Sequence, residues 1–377
     1  MAKTHHGLEE ILAHEVSMAG GFGVKPAKRA VYFSANLETL YRCNLVCSTA
    51  LRFLVELKFY NARNDDELYN FAKRVRWTEM LDPSQTFLVS STVYSPVFKH
   101  SHFAALKIKD AIVDTFRDAS LPRPNVDTSN PDVVVHVHIA NQNVSIMLDS
   151  SGESLHKRGY RITGMPAPLN EVLAAGMIRL SNWNPETEFI DPMCGSGTLA
   201  IEAALLASNT PVNYRRSSFS FQNWPNYKHA LWEQIFNKEL EKVAPPKAPI
   251  WGADISSRAV YASKDNAEAA GMSEYITFKK ADISETKPTQ SEGVIMMNPP
   301  YGERLQPAEI NDLYAKIGTQ LKHYYSGFSA WILSSNLNAL KFVGLRPSQR
   351  LSLFNGALQT KFMHFSLYDG SKKTKKQ

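Results

Sequence analysis

The stretch Asp191-Pro192-Met193-Cys194-Gly195-Ser196-Gly197-Thr198 brings a carboxylate, two glycines and two hydroxyls into one turn. A short apolar run, Phe189-Ile190, leads into it, and the alanine-rich helix former Leu199 to Ala207 follows. A strand ending in an acid, then a glycine turn, then a helix start aims backbone N–H groups and a carboxylate at one crevice. That is the chemistry of a nucleotide-type cofactor site. The turn by itself leaves the nucleotide open, because Gly195-x-Gly197-x-x-Ala200 also satisfies the dinucleotide fingerprint.

A dehydrogenase needs an acid about 20 residues beyond the glycines to hold the adenosine ribose. None lies between Glu202 and Glu233. Arg215 and Arg216 have a spacing suited to a 2′-phosphate, yet no strand precedes them. The next strand ends instead at Asp254, and an insertion over about 211–249 accounts for the displacement. Asp254 can then accept both ribose hydroxyls, and Asp282, closing the third strand, can meet the adenine amino group. Acids at three successive strand ends favour S-adenosylmethionine, which carries a cationic sulfonium and no phosphate. Taken singly, each acid is also an ordinary helix cap.

The fourth strand runs into Asn298-Pro299-Pro300-Tyr301. The exocyclic amino group of a base is a poor nucleophile because its lone pair is delocalised into the ring. An Asn298 side-chain oxygen and a Pro299 carbonyl can hold its two protons, aim the nitrogen and accept charge as it attacks. The two prolines fix the carbonyl directions, and Tyr301 offers a face on which a flipped-out base can stack. The same tetrapeptide also occurs as a plain turn. Its place at the fourth strand end, opposite a glycine-rich first turn, supports the amino-methylation reading.

These residues need a sheet to hold them. From Leu169 onward, apolar strands at Phe189-Ile190, Ile250 to Ala253, Ile276 to Phe278, Val294 to Met297 and Ala330 to Leu333 alternate with helices, including Ser257 to Ala270. This pattern predicts an α/β fold with a mostly parallel sheet covered on both faces. Arg350 to Phe354 and Lys361 to Leu367, joined through Asn355-Gly356, predict an antiparallel hairpin at one edge. Ahead of it, shorter elements read as two α+β units. Helical spacing at Leu8, Ile11, Leu12 and Val16 is followed by strand-like Ala30 to Phe33 and Leu51 to Phe59; a second set runs from Glu67 to Leu148. The boundary into the sheet domain falls at Thr163 to Pro168, giving units over 1–62, 63–162 and 163–377.

The chain of 377 residues carries a formal charge of +6, and its distribution is uneven. Residues 1–165 hold 19 Lys/Arg against 17 Asp/Glu, residues 166–370 hold 19 against 19, and Lys372, Lys373, Lys375 and Lys376 supply the remainder. That tail reads as a solvated end or an RNA tether. Lys157, Arg158, Tyr160 and Arg161 combine cations with an aromatic, suiting phosphate contact and stacking with RNA, or else a solvated linker. His136 and His138 share one strand face, expected to be an exposed polar one. Cys43 and Cys47 are expected to pack in a helix, since no second Cys/His pair has zinc-site spacing. No metal site is expected. The N-terminus lacks the apolar core of a signal peptide, and no apolar window is long enough to span a membrane, so a cytoplasmic protein is expected.

Three motifs in order, Gly152-Glu-Ser-Leu-His-Lys-Arg-Gly-Tyr-Arg161, Asp191 to Thr198 and Asn298-Pro-Pro-Tyr-Gly-Glu-Arg-Leu305, resemble those of the THUMP-containing bacterial RNA guanine-N2 methyltransferases, with the RlmL type closest. The resemblance implies a ferredoxin-like unit and a THUMP RNA-binding domain before a class I Rossmann-like methyltransferase domain. It implies S-adenosylmethionine as cofactor and N2-methylguanosine in 23S ribosomal RNA as product. By the family pattern Asp191, Cys194, Gly195, Ser196, Gly197, Thr198, Asp254 and Asp282 face the cofactor, while Asn298, Pro299, Pro300 and Tyr301 face the base. Asn170 stands where the family usually has lysine. The chain ends at Gln377, so the second methyltransferase fused in some relatives is expected to be absent. A tRNA guanine, another nucleic-acid amino group, or a non-catalytic RNA-binding assembly factor are the alternative readings.

Overall fold

The computed structural model describes residues 1–164, 168–301 and 306–368. Part of the expected boundary (165–167), the Gly302 to Leu305 end of the third motif and the lysine tail lie outside the described residues. In chain order the strands are β1 (Ala2–Lys3), β2 (Phe22–Ala27), β3 (Ala30–Ser34), β4 (Arg52–Asn61), β5 (Thr86–Tyr94), β6 (Asn125–Val126), β7 (Val133–Ala140), β8 (Asn143–Asp149), β9 (Glu188–Asp191), β10 (Ile250–Asp254), β11 (Ile276–Lys280), β12 (Gly293–Met297), β13 (Phe328–Ser334), β14 (Gln349–Asn355) and β15 (Leu358–Ser366). β1, β2 and β6 lack an apolar run that the sequence reading could detect. β1 and β6 are two residues long, and β2 is an edge strand carrying Pro26.

The second sheet has the order β11-β10-β9-β12-β13-β15-β14, parallel from β11 to β13 and antiparallel at the β15 and β14 edge. Strand alternation divides its apolar residues between two cores. Phe189, Val294, Met296, Trp331 and Leu333 enter the core beneath helices Glu171–Leu180, Thr198–Ala207 and Ser257–Ala269. Ile190, Ile295, Met297, Ala330 and Ile332 enter the core under helix Pro307–Tyr324. Double coverage explains why these strands read as continuous apolar runs. Strand order reverses between β9 and β12, which opens a crevice at their carboxyl ends.

The first sheet, β2-β3-β1-β4-β8-β7-β5-β6, joins the two expected N-terminal units into one surface. β4 makes the join, pairing with β1 on one side and with β8 on the other. Its core takes Val133, Val135, Val137 and Ile139 from β7, while His136 and His138 point to the other face. Cys43 and Cys47 are buried in this core. The 211–249 insertion also packs here: Phe219, Phe221, Trp224 and Ile235 join the first core, and Phe221 stacks on Tyr41 at 4.3 Å. Helix His229–Leu240 within the insertion was not legible in the sequence, because its burial rests on Ile235 and Glu239 against a distant partner.

A buried polar junction ties the two sheets together. The Arg158 guanidinium donates to Ser48 O at 2.6 Å and Leu155 O at 2.8 Å, and pairs with Glu202 at 3.3 Å. Tyr160 donates its hydroxyl to the same Glu202 at 3.0 Å. Burial pushes the Glu202 carboxyl up, and the Arg158 charge pulls it back down. Both members of the pair are excluded from water, so removing one leaves an uncompensated charge. Arg158→Ala is expected to destabilise the protein by about 3–5 kcal/mol. In chemical denaturation, the double variant Arg158→Met with Glu202→Leu should recover much of that loss; a single-variant loss under ~1 kcal/mol would remove the pair from this role.

Candidate active site

The crevice is lined by the turn after β9. Gly195 and Gly197 have φ of +53° and +84°, conformations that favour glycine. Their surroundings differ. A Cβ at Gly195 would meet nothing within 4 Å, so space is open for a ligand, whereas one at Gly197 would meet Phe278 and Ser263 at 3.1 Å. The expected ligand approach therefore rests on Gly195; Gly197 serves helix-to-sheet packing. The Cys194 thiol is buried against the Ser263 hydroxyl at 3.4 Å. Ser263 also donates to Gly195 O at 2.9 Å, and Asn266 donates to Ser196 O at 3.0 Å. Helix Ser257–Ala269 thus braces the turn.

Asp191 is 1% exposed, and among the described residues its hydrogen-bond donor is the Met193 N–H at 3.3 Å. Burial pushes its carboxyl well above the ordinary range, and the negative Asp254 nearby pushes the same way. Such a carboxylate is electrostatically incomplete. A cationic ligand in the crevice supplies what it lacks, which fits the S-adenosylmethionine expected from the sequence. Asp254 accepts from the Gly195 N–H at 3.0 Å and the Ser256 N–H at 2.9 Å, so it holds the glycine turn as well as facing the crevice. Asp282 caps a short turn through Ser284 and pairs with Lys316 at 3.4 Å, with a quarter of its side chain exposed.

At the end of β12 the structure brings Asn298 and Tyr301 into contact: the Tyr301 hydroxyl donates to Asn298 Oδ1. The side chain of Asn355, at the tip of the β14–β15 hairpin, acts on that phenol against the effect of burial. The Tyr301 O–H directed into Asn298 orients the amide. It presents the oxygen of Asn298 to this side and leaves that oxygen a second lone pair. Burial holds the Tyr301 phenol neutral, well above its ordinary value. The backbone is tied down as well: Asn336 donates to Tyr301 O at 3.1 Å, and Tyr314, its phenol pushed up to about 12 by burial, donates to Pro300 O at 3.5 Å. The hydroxyl role of Tyr301 and the contribution of Asn355 were not visible in the sequence, since 54 positions separate them and only the hairpin fold brings them together.

The basic stretch expected to meet RNA is corrected. Arg158 is 2% and Tyr160 3% exposed, both committed to Glu202. Arg161 donates to Glu171 Oε1, Ser196 Oγ and Leu169 O, each at 2.9 Å, and to Thr198 Oγ1 at 3.2 Å. It positions the cofactor turn from behind. Of the four residues only Lys157 faces solvent, paired with Glu153. Buried carboxylates elsewhere in the chain outcompete solvent for these cations, which local composition does not reveal. Arg216 likewise faces inward, donating to Glu153 O and Lys157 O at 2.9 Å. His136 is half-buried and pairs with Asp149 at 3.2 Å, away from a fully exposed face. Asn170 caps helix Glu171–Leu180 by accepting from the Leu173 N–H at 3.2 Å, a task lysine cannot perform. Among the described residues no group of three or more metal-ligating side chains is found, and no helix is long and apolar enough to cross a membrane.

The raised Asp191 value sets a pH dependence. Because the folded value lies above the unfolded one, its stabilising contribution is complete below about the ordinary carboxylate range. It is lost as pH rises through the raised value, and a bound cation restores it. Affinity for S-adenosylmethionine should therefore strengthen as pH rises through that value, read by calorimetry across pH. Asp191→Asn should weaken binding by about 10–100-fold, the worth of a charged hydrogen bond, and flatten the pH profile. An unchanged profile would assign the dependence to another group.

Comparison with known proteins identifies the domains. Residues 158–363 match the RMKL-like methyltransferase domain, 62–149 the THUMP domain and 1–54 the RlmL ferredoxin-like domain. A protein of Synechocystis sp., provisionally described as an RNA methyltransferase, is 36% identical over 97% of this chain and 96% of its own. The ribosomal RNA large subunit methyltransferase K/L of Shewanella frigidimarina is 37% identical over 97% of this chain, which spans 52% of that relative's length. A crystal structure of a provisionally assigned methyltransferase, SMU.472, complexed with SAH, superposes with a TM-score of 0.88 at 28% identity, covering 98% of both chains. The methyltransferase match covers more than half of the chain, and this protein belongs to the RMKL-like methyltransferases, with a THUMP domain and an RlmL-type ferredoxin-like domain ahead of the methyltransferase domain.

Proposed function

We propose that this protein methylates the exocyclic N2 amino group of a guanine in 23S ribosomal RNA, acting before or during large-subunit assembly. S-adenosylmethionine is the donor, and when bound it supplies an electrophilic methyl on a cationic sulfonium. The observation that carries the reading is the position of Asn298: it closes β12, across the strand-order reversal from the Asp191 turn, with its amide oxygen oriented by Tyr301. The Asn298 oxygen and the Pro299 carbonyl accept the two amino protons of the base. This localises the nitrogen lone pair and directs it at the methyl carbon. As the new N–C bond forms, the C–S bonding pair leaves with sulfur, and the positive charge on nitrogen is shared with the same two acceptors until a proton departs to water. Asp191 and the turn behind it hold the donor, with Arg161 bracing Ser196 and Thr198. The K/L relatives are named for large-subunit ribosomal RNA, which supports the substrate. The division into a ferredoxin-like unit over 1–62, a THUMP domain over 63–162 and a methyltransferase domain over 163–377 belongs to the same proposal.

The test is methyl transfer from labelled donor to undermodified 23S ribosomal RNA, with the product nucleoside identified by mass spectrometry. N2-methylguanosine is expected; N6-methyladenosine, a tRNA product or no transfer at all would replace this reading. Asn298→Ala should lower kcat by at least about 100-fold, the scale set by losing a positioned acceptor, while S-adenosylmethionine affinity changes little. A variant that keeps a near-normal rate would remove Asn298 from the chemistry.

A further inference from the structure

The residue that closes the Asn298 to Tyr301 clamp has its backbone held on both sides. Each peptide unit is planar, so holding the carbonyl before a residue and the carbonyl after it constrains the φ and ψ between them. At Tyr301 both are tied. The Tyr314 hydroxyl reaches Pro300 O at 3.5 Å, and Asn336 Nδ2 donates to Tyr301 O at 3.1 Å. With the backbone constrained, the direction of the Tyr301 side chain is constrained too, and its hydroxyl meets Asn298 Oδ1.

Both tethers converge on the neighbouring strand. β13 pairs with β12 in parallel, with Met297 beside Ile332, so the two strands leave the sheet side by side. Ser334 ends β13; its Oγ accepts from the Asn336 N–H at 3.1 Å and meets the Tyr314 hydroxyl at 2.7 Å. Ser334 and Tyr314 are both fully buried. Tyr314 has one hydroxyl proton, and with that proton on Pro300 O the Ser334 hydroxyl must donate to Tyr314. The bonds then run in one direction, from the Asn336 N–H to Ser334, from Ser334 to Tyr314 and from Tyr314 to Pro300 O. Burial, which pushes the Tyr314 phenol up to about 12, keeps its proton in place at neutral pH.

Asn336 uses its side chain twice. Oδ1 accepts from the Ala339 N–H at 2.9 Å, at the start of the short helix Ala339–Phe342, while Nδ2 holds the Tyr301 carbonyl. The first bond is a local structural task that an aspartate performs as well as an asparagine. The second needs a donor, which a carboxylate lacks.

We infer that Asn336 is a positioning residue for methyl transfer: it holds the Tyr301 carbonyl so that the Tyr301 hydroxyl orients the Asn298 amide, while Tyr314 and Ser334 hold the peptide plane before it. The inference rests on the proposed role of Asn298 at the base and adds the groups outside the motif that keep that amide aimed.

The test compares Asn336→Asp with wild type as full chains, using labelled S-adenosylmethionine and undermodified 23S ribosomal RNA. Total methyl transfer gives the rate, and mass spectrometry of the nucleosides gives the product. kcat should fall about tenfold, the scale of one ordinary hydrogen bond, while KM for RNA, S-adenosylmethionine affinity and melting temperature stay near wild type. Tyr314→Phe, which keeps the buried ring and removes the hydroxyl, should lower kcat in the same way. In a Tyr301→Phe background, where no hydroxyl remains to be aimed, Asn336→Asp should cause no further loss. An unchanged kcat in Asn336→Asp overturns the inference. So does an equal loss in the Tyr301→Phe background, or a loss of kcat that comes with a fall in melting temperature or cofactor affinity, since each makes Asn336 a structural residue only. If N2-methylguanosine forms and Asn336→Asp keeps the wild-type rate, the positioning role fails and the proposed function stands. If another base is methylated and the variant still loses kcat as expected, the positioning role stands and the guanine reading fails. No transfer by the wild-type protein removes both.

Discussion

The architecture depends on a charge pair that water does not reach. Arg158 leaves the first sheet, and Glu202 sits on the helix that follows the cofactor turn; neither tolerates burial without the other. Ser48 from the N-terminal half, Asn213 from the insertion and Tyr160 supply the remaining hydrogen bonds. The N-terminal half, the insertion, the linker and the helix behind the cofactor turn thus meet at one desolvated point. Glu15 repeats the device nearby, accepting from Ser48 and Thr49 and pairing with Arg179 at 3.0 Å. Such pairs add little net stability over apolar packing, but they reject wrong arrangements sharply, because a misplaced partner leaves a bare charge inside.

From that junction the positioning passes directly to the chemistry. Arg161, three residues beyond Arg158, holds the Ser196 and Thr198 hydroxyls, so the linker between the two sheets is also the back wall of the cofactor turn. On the crevice side the turn presents open space at Gly195 and the under-coordinated Asp191 carboxylate. The site is therefore prepared for a cation by what it lacks, while its backbone is over-determined by what surrounds it. Bracing by Ser263 and Asn266 thus keeps the glycine turn in one conformation.

The base-facing side follows the same division. Asn298 closes a buried parallel strand, which fixes its backbone, and the Tyr301 hydroxyl fixes its amide. The antiparallel hairpin at the sheet edge brings Asn355 to that tyrosine. The hairpin also touches the N-terminal unit, where His6 packs edge-on against Phe354 at 5.7 Å.

By itself the sequence determined the elements and the local chemistry. The apolar runs from Phe189 to Leu333 demanded a doubly covered parallel sheet, the Asp191 to Thr198 turn demanded a nucleotide-type ligand, and Asn298 to Tyr301 pointed to an amino group, because each of these signals lies within a few consecutive residues. The order of the strands put the two motifs across one crevice, as alternating strands and helices imply. What the sequence left undecided was where isolated charges end up. Lys157 to Arg161 looks like a nucleic-acid contact until Glu202 and Glu171, 10 to 44 residues away in the chain, take two of its arginines inward. Lys3, Tyr32, His138 and Tyr94 look unrelated until the order of the first sheet brings their strands into one surface. Charge pairing and surface shape are sums over contacts distant in sequence, so only the tertiary structure could decide them.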